Sequence, residues 1–289
     1  MLRQKYLSEK VKIIEERMKQ LITHAPCSYK SIFDSAAYSL FSGGKRLRPI
    51  LVMEVTEALG GNAEHALDAA IALEMIHTSS LIHDDMPCMD NDDFRRGKPT
   101  LHKVFPEWQA LLTGDFFLTF AFECITGASD LTDAQKVALI QVLASKSGAA
   151  GMIGGQLLDL QGNVKTEAQI EELHILKTGA LLEAAIEIGA IIAGSTPQEM
   201  VLLRSFAKDI GLAFQIIDDV LDVTAGELKH GHSSDAASGK LTYVNFLGIE
   251  GSKKRAEELV QRALSTLAPL GEKSVSLAEI ARFIVERTY

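Results

Sequence analysis

The sequence predicts an all-α protein of about ten helices, and two observations carry that prediction. Prolines are few and spaced apart, at 26, 49, 87, 99, 106, 197 and 269, so none interrupts the intervals 107–196 and 198–268. Within those intervals apolar residues recur at helical spacing, as in Leu173, Leu176, Ala180, Leu181, Ala184 and Ile188. No alternating strand pattern and no Asn-Gly or Asp-Gly hairpin turn offsets them.

From the N-terminus, the first twenty residues read as a charged amphipathic helix and not as a signal peptide. Breaks are then expected near 23–29, 42–48, 60–63, 87–105, 127–133, 161–167, 194–197, 225–240, 248–252 and 267–274, with helices between them. Two of these connections, 87–105 and 225–240, are longer than the rest, and each follows a cluster of aspartates. Long ordered connections are usually functional. No repeat, linker or low-complexity tract divides the chain, so residues 1–289 are read as one domain.

Composition narrows the function. Hydrophobic residues at 47% and charged residues at 23% describe a globular chain with a sizeable core. A formal charge of −9 argues against a nucleic-acid partner, yet leaves room for a cleft whose local cations bind an anion. Three cysteines without metal-ligand spacing point to a reducing, cytoplasmic compartment. The longest apolar stretch, 180–195, carries Glu183 and Glu187, which speaks against an integral membrane segment.

The aspartate clusters are the most informative motifs. The first, Asp84-Asp85 with Asp90, lies in SLIHDDMPCMDNDDFRRGKPT; the second, Asp218-Asp219 with Asp222, lies in FQIIDDVLDV. Each follows an apolar helical run, and buried carboxylates require a compensating cation. Mg²⁺ suits oxygen-only clusters and accepts phosphate oxygens among its ligands. Pro87 disfavours helical geometry before it, so the first helix should end there and let the loop return Asp90 towards Asp84. Asp218 and Asp222, four apart, share one helical face that Phe214, Ile216, Ile217, Val220 and Leu221 leave largely buried. The alternative in both places is a solvated acidic surface.

Cations accompany the acids. Arg95 and Arg96 follow the first cluster with forks suited to bidentate phosphate contacts. GGKRLRP places Lys45, Arg46 and Arg48 behind two glycines at a helix start, an anion site by its geometry. Lys177 and Thr178 stand inside an apolar helix, where an ammonium either finds a partner or snorkels outward. Gln215 precedes Asp218 and Asp219 by one turn and has an amide to offer a phosphate or a water. His77, ahead of Asp84 on the same helix, reads either as a core histidine or as a contact for a second anion.

In order along the chain, GGKRLRP, DDMPCMD, RRGKPT, GGQLLDL, LKTGALLE and FQIIDDVLD resemble the motifs of the trans-isoprenyl diphosphate synthases, the farnesyl and geranylgeranyl diphosphate synthase family. The resemblance implies helices around a deep central cavity, a homodimer, and Mg²⁺-dependent head-to-tail condensation of an allylic diphosphate with isopentenyl diphosphate. By position it implies that Asp84, Asp90 and Asp218 hold Mg²⁺, supported by Asp85, Asp219 and Asp222. Arg95, Lys177, Thr178, Gln215 and Lys240 would contact the allylic diphosphate, and Lys45, Arg48, His77 and Arg96 isopentenyl diphosphate. The chain departs from the family where a lysine is usual after the second motif: Lys229-His230 stands there, and neither residue is assigned. A terpene cyclase and a non-catalytic subunit of a heteromeric synthase are the competing classes. The first does not need the GGKRLRP and Arg96 site; the second generally lacks part of the aspartate apparatus.

Product length is read from the wall ahead of Asp84. Relatives that stop at fifteen carbons typically carry an aromatic residue five positions before the first aspartate, where this chain has Ser79, with Ser80 beside it. Small side chains there favour a twenty-carbon product. Phe116 and Phe117 are the counter-argument, since a facing helix bearing them would restore a floor at fifteen carbons; ordinary core packing is their other reading.

Overall fold

The computed structural model describes residues 2–23, 27–225 and 241–286. Among these residues it contains thirteen α-helices: α1 (Leu2–Ile22), α2 (Lys30–Leu40), α3 (Leu47–Ala58), α4 (Leu67–Asp84), α5 (Leu101–Val104), α6 (Glu107–Gly127), α7 (Asp133–Ser147), α8 (Met152–Gln161), α9 (Glu167–His174), α10 (Ala180–Ala193), α11 (Pro197–Ala225), α12 (Tyr243–Leu267) and α13 (Val275–Glu286). The all-α class expected from periodicity is therefore the observed one.

α4 is the central element. Residues 69–76 are buried without interruption, so this stretch is surrounded and not merely amphipathic. α6 packs along α4, α10 along α3, and α12 along α11. α1 lays Ile14, Met18 and Ile22, spaced four apart, against the same core. Its Lys10 is buried between Glu54 at 2.6 Å and Glu57 at 2.5 Å, both on α3. Removing either acid would leave an under-compensated buried charge, the costly way to break such a pair.

Three local features differ from the sequence expectation. A break at 148–151 separates α7 from α8 where unbroken helix was expected. The break expected at 248–252 is instead a kink inside α12, centred on Gly248, whose φ of 68° only glycine adopts easily. Between α4 and α5, in the first long connection, lies a hairpin of two-residue strands, Phe94–Arg95 pairing Lys98–Pro99. Its turn residues Arg96 and Gly97 both have positive φ, at 53° and 75°, as a two-residue type I′ connection requires. Arg-Gly is an unusual pair for that turn, which is why the hairpin escaped the sequence reading.

α6 is long and apolar enough to cross a membrane, as is the stretch 133–161. The second is not one helix, since it breaks at 148–151. α6 is fastened to α2 by polar bonds: the Gln109 amide donates to the Ser31 carbonyl at 2.9 Å, and the buried Ser35 and Thr113 hydroxyls pair at 2.8 Å.

α11, which carries the second aspartate cluster, begins with a reciprocal cap. The Glu199 backbone N–H donates to Thr196 Oγ1 at 3.2 Å, and the Thr196 N–H donates to Glu199 Oε2 at 2.9 Å. These bonds and Lys273 hold the Glu199 carboxyl at about 2, below its ordinary 4.5. The folded chain thus binds fewer protons there than the unfolded chain between those values. The stabilisation is complete above about pH 4.5 and lost as pH falls through about 2. Glu199→Ala is expected to cost about 1 kcal/mol in urea denaturation at pH 7. That difference should shrink on acidification; one unchanged at pH 2 would assign the loss to something other than the carboxylate.

Candidate active site

The first aspartate cluster sits where α4 stops. Pro87 disfavours helical geometry at Met86, and the last turn closes through the Asp85 N–H to Leu81 and the Met86 N–H to His83, each at 3.1 Å. The chain then turns back, and the Asp90 N–H donates to the Asp84 carbonyl at 2.9 Å. Asp84 and Asp90 are thereby brought side by side, both partly exposed. Asp85 points the other way. It is buried and accepts bonds from Arg95 Nε at 2.6 Å and a terminal guanidinium nitrogen at 2.5 Å. Burial pushes its carboxyl up to about 6, against the pull of Arg95. Arg95 is thus engaged with Asp85 and, at 3.6 Å, with Asp92, and supports the cluster from behind.

Lys177 and Thr178 reach the same place by a different device. α9 continues into α10 through one π-helical turn, Ile175–Gly179, whose extra residue shifts the register of the side chains it carries. Lys177 Nζ donates to Asp159 at 2.6 Å and lies 3.9 Å from Asp84. Gln156, one turn before Asp159 on α8, donates its amide to Asp84 Oδ1. Gln156 and Asp159 are site residues that the sequence reading did not single out, although GGQLLDL contains both. Their spacing of three on a helix was the available signal. Gly155 beside them has no room for a side chain, because a Cβ would strike the backbone of Lys177.

The second cluster divides as the first does. Asp219 is 1% exposed and fully engaged: Gln215 donates to it at 2.9 Å, the Tyr243 N–H at 2.9 Å, and His174 Nε2 lies at 3.0 Å. The His174 ring also stacks on Tyr243. Asp219 therefore joins α9, α11 and α12, and Gln215, expected to contact the allylic diphosphate, donates one amide N–H to this carboxylate. Asp218 and Asp222 are partly exposed on one face of α11. Asp218 is near enough to Arg48 to favour its charged form, opposing the burial that lowers the Arg48 pKa. Arg48 lines the cavity that Asp84 also lines, so the first cluster borders the cavity directly and the second lies within electrostatic reach of its wall.

On the remaining side stand the cations. Lys45 is exposed, and Arg96 donates to the Gly43 carbonyl with its guanidinium over Gly44, where any side chain would displace it. His77 lines the cavity with its pKa held well below 6.5, first by burial and then by Arg48, Arg96, Arg95 and Arg46. Its imidazole is neutral at pH 7, a hydrogen-bonding group and not a cation. Lys240, Lys229, His230 and the rest of 226–240 lie outside the described residues.

The cavity these groups surround measures about 370 Å³. Its lining combines polar groups, Arg48, His77, Asp84, Lys177 and Thr178, with apolar ones, Leu81, Leu118, Met152, Leu157 and Leu181. Ser79 and Ser80 form part of the wall, and the buried Ser79 hydroxyl has no hydrogen-bond partner among the described residues. Phe116 and Phe117 do not line the cavity. Phe117 is fully buried in the core, while Phe116 stacks on Phe120 at 4.9 Å and meets Phe33 edge-on at 5.3 Å. These contacts favour the packing reading of the two rings over the floor reading, and Leu118 is the α6 residue among those lining the cavity.

Acidic, cationic and apolar side chains lining one cavity form a site for a diphosphate with a hydrocarbon tail. Known proteins agree with that form. The family model for polyprenyl synthetase matches residues 30–275. The chain belongs to this family, the trans-isoprenyl diphosphate synthases. Among similar proteins, the geranylgeranyl diphosphate synthase of Cyanophora paradoxa is 45% identical over 288 residues, covering 98% of this chain and 95% of the relative. The farnesyl diphosphate synthase of Micrococcus luteus is 45% identical over 263 residues, 89% of each chain. The crystal structure of an FPP/GFPP synthase from Zymomonas mobilis superposes with a TM-score of 0.87 at 38% identity over 98% of both chains. The trans-isoprenyl diphosphate synthase described here is accordingly a short-chain prenyltransferase.

Proposed function

We propose that this synthase joins an allylic diphosphate to isopentenyl diphosphate, head-to-tail and trans, with Mg²⁺ and as a single-domain, cytoplasmic homodimer, and releases geranylgeranyl diphosphate. The observation that carries the proposal is the lining of one cavity by Asp84, Lys177 and Thr178 together with Arg48 and His77, with Asp218 within electrostatic reach of Arg48.

The donor set fits Mg²⁺. Asp84, Asp90 and Asp218 offer only carboxylate oxygens. Among the described residues no three acidic, histidine or cysteine side chains cluster tightly enough to hold an ion unaided. A few carboxylates completed by waters and diphosphate oxygens is the arrangement Mg²⁺ favours. When bound, Mg²⁺ would neutralise charge developing on the leaving diphosphate.

The chain's own groups account for the rest. Lys177 and Thr178 orient the allylic diphosphate, while Lys45, Arg48, Arg96 and neutral His77 hold isopentenyl diphosphate with its alkene towards the allylic carbon. The allylic carbon–oxygen bond breaks, the alkene electrons form the new carbon–carbon bond, and a proton leaves the adjacent carbon for the departed diphosphate. No side chain is required as base. Leu81, Met152 and Leu181 keep water from the cationic carbon.

Three free thiols, Cys27, Cys88 and Cys124, support a reducing compartment. Trp108, Leu111 and Leu112 leave an apolar face of α6 open, which supports pairing with a second copy. A fifteen-carbon product is the second reading, favoured by the Micrococcus luteus relative. Incubating the purified chain alone with dimethylallyl and isopentenyl diphosphates tests the reaction class. Release of inorganic diphosphate with a longer prenyl diphosphate is expected. Diphosphate release with a cyclic hydrocarbon, or no reaction without a partner protein, would replace the proposal.

A further inference from the structure

The GGKRLRP loop offers three cations, and the structure separates one from the other two. Lys45 is exposed and Arg48 lines the cavity, whereas the Arg46 side chain is 0% exposed. Its guanidinium passes into the core among three helices. One terminal nitrogen donates to Glu74 on α4 at 3.1 Å; the other donates to the carbonyl of Leu40, the last residue of α2, at 2.6 Å and to Glu15 on α1 at 3.4 Å. Glu74 is itself buried, so this is an ion pair inside the protein and not a rim contact.

The backbone at Arg46 is equally constrained. Its φ is 50°, in the left-handed region that a non-glycine residue rarely adopts. Such a conformation persists where surrounding bonds over-determine it. Arg46 is also the residue from which α3 starts, since its carbonyl accepts the Ile50 N–H at 3.1 Å. The buried side chain therefore fixes both the direction of the loop behind it and the first turn ahead, where Arg48 sits. Glu74 lies three residues before His77 on α4, one turn away along the same face. The Arg46–Glu74 pair thus ties the loop bearing Lys45 and Arg48 to the segment bearing His77.

We propose that Arg46 is a positioning residue for isopentenyl diphosphate, setting Arg48 and His77 at their working separation through Glu74, with Glu15 of α1 as its outer brace. The proposal rests on the functional reading above. It also assigns α1 a part in substrate binding although no described side chain of α1 lines the cavity. Lysine retains the charge at this position but is a single point donor, and it does not span Glu74, Glu15 and the Leu40 carbonyl together.

Steady-state kinetics with each substrate varied in turn tests the proposal. Arg46→Lys is expected to raise KM for isopentenyl diphosphate about tenfold, the size of a lost charged hydrogen bond, with kcat and the allylic KM within about twofold. Glu15→Gln, on a partly exposed side chain, is expected to raise the same KM about threefold and serves if Arg46→Lys does not fold. An unchanged isopentenyl diphosphate KM in the folded variants overturns the inference, as does a parallel decline of every constant, which marks general destabilisation. A wild-type chain that does not consume isopentenyl diphosphate overturns the functional reading, and this inference with it.

Discussion

Ser79→Phe is expected to change the product from twenty carbons to fifteen. Ser79 is 1% exposed, lies in the cavity wall, and stands five residues before Asp84 on α4, about 7.5 Å up the helix. A tail anchored by its diphosphate near Asp84 must pass that point to gain its last unit, since one helical turn of about 5.4 Å is on the order of one isoprene. A benzyl group there occupies the passage, whereas a serine hydroxyl leaves it open. Nothing hydrogen-bonded is lost in the exchange, because the hydroxyl has no partner among the described residues. Chromatography of the dephosphorylated products reads the outcome directly. Phe116→Ala is the control and should leave chain length alone, since that ring packs against Phe33 and Phe120 away from the shaft. A wild-type enzyme making only the fifteen-carbon product would refute the serine argument.

Asp84→Ala and Asp218→Ala are each expected to lower kcat by about a thousandfold or more, the scale at which lost transition-state charge stabilisation is felt. Both side chains are partly exposed and neither is buried in the core, so circular dichroism and the melting temperature should change little. Asp219 and Asp85 separate the two effects. Asp219→Ala would strand the Tyr243 N–H and free Gln215 and His174, so a loss of stability should accompany any loss of turnover. Turnover close to wild type in Asp84→Ala or Asp218→Ala would remove that residue from the diphosphate site.

The sequence carried the helical class because its signal is periodic and long: α10 and α11 are apolar runs that no proline interrupts. The two aspartate clusters were legible for a similar reason, as carboxylates at the ends of such runs are unusual on chemical grounds alone. What sequence did not separate was the inward from the outward acid in each pair. Asp84 and Asp85 are neighbours in the chain, yet one faces the cavity and the other Arg95, because successive residues at a helix end still point about 100° apart. Arg46 and Arg48 differ in the same way, through a left-handed backbone that no local propensity announces. Gln156 and Asp159 were missed because an amide and one acid on an amphipathic helix resemble a surface until α8 is seen against Asp84 and the π-helical turn. Phe116 and Phe117 were ambiguous because consecutive residues on a helix point about 100° apart, and only the neighbours of α6 decide which direction is the cavity.

The central claim is that Asp84 and Asp218 grip one diphosphate through shared Mg²⁺. Calorimetric titration with an unreactive allylic thiodiphosphate, with and without Mg²⁺, measures it most directly. Tight binding is expected only with the metal, and each single alanine variant should abolish most of it, with the double variant losing little more because the two residues act as one unit. Metal-independent binding, or two losses that simply add, would mean that the aspartate clusters serve separate sites.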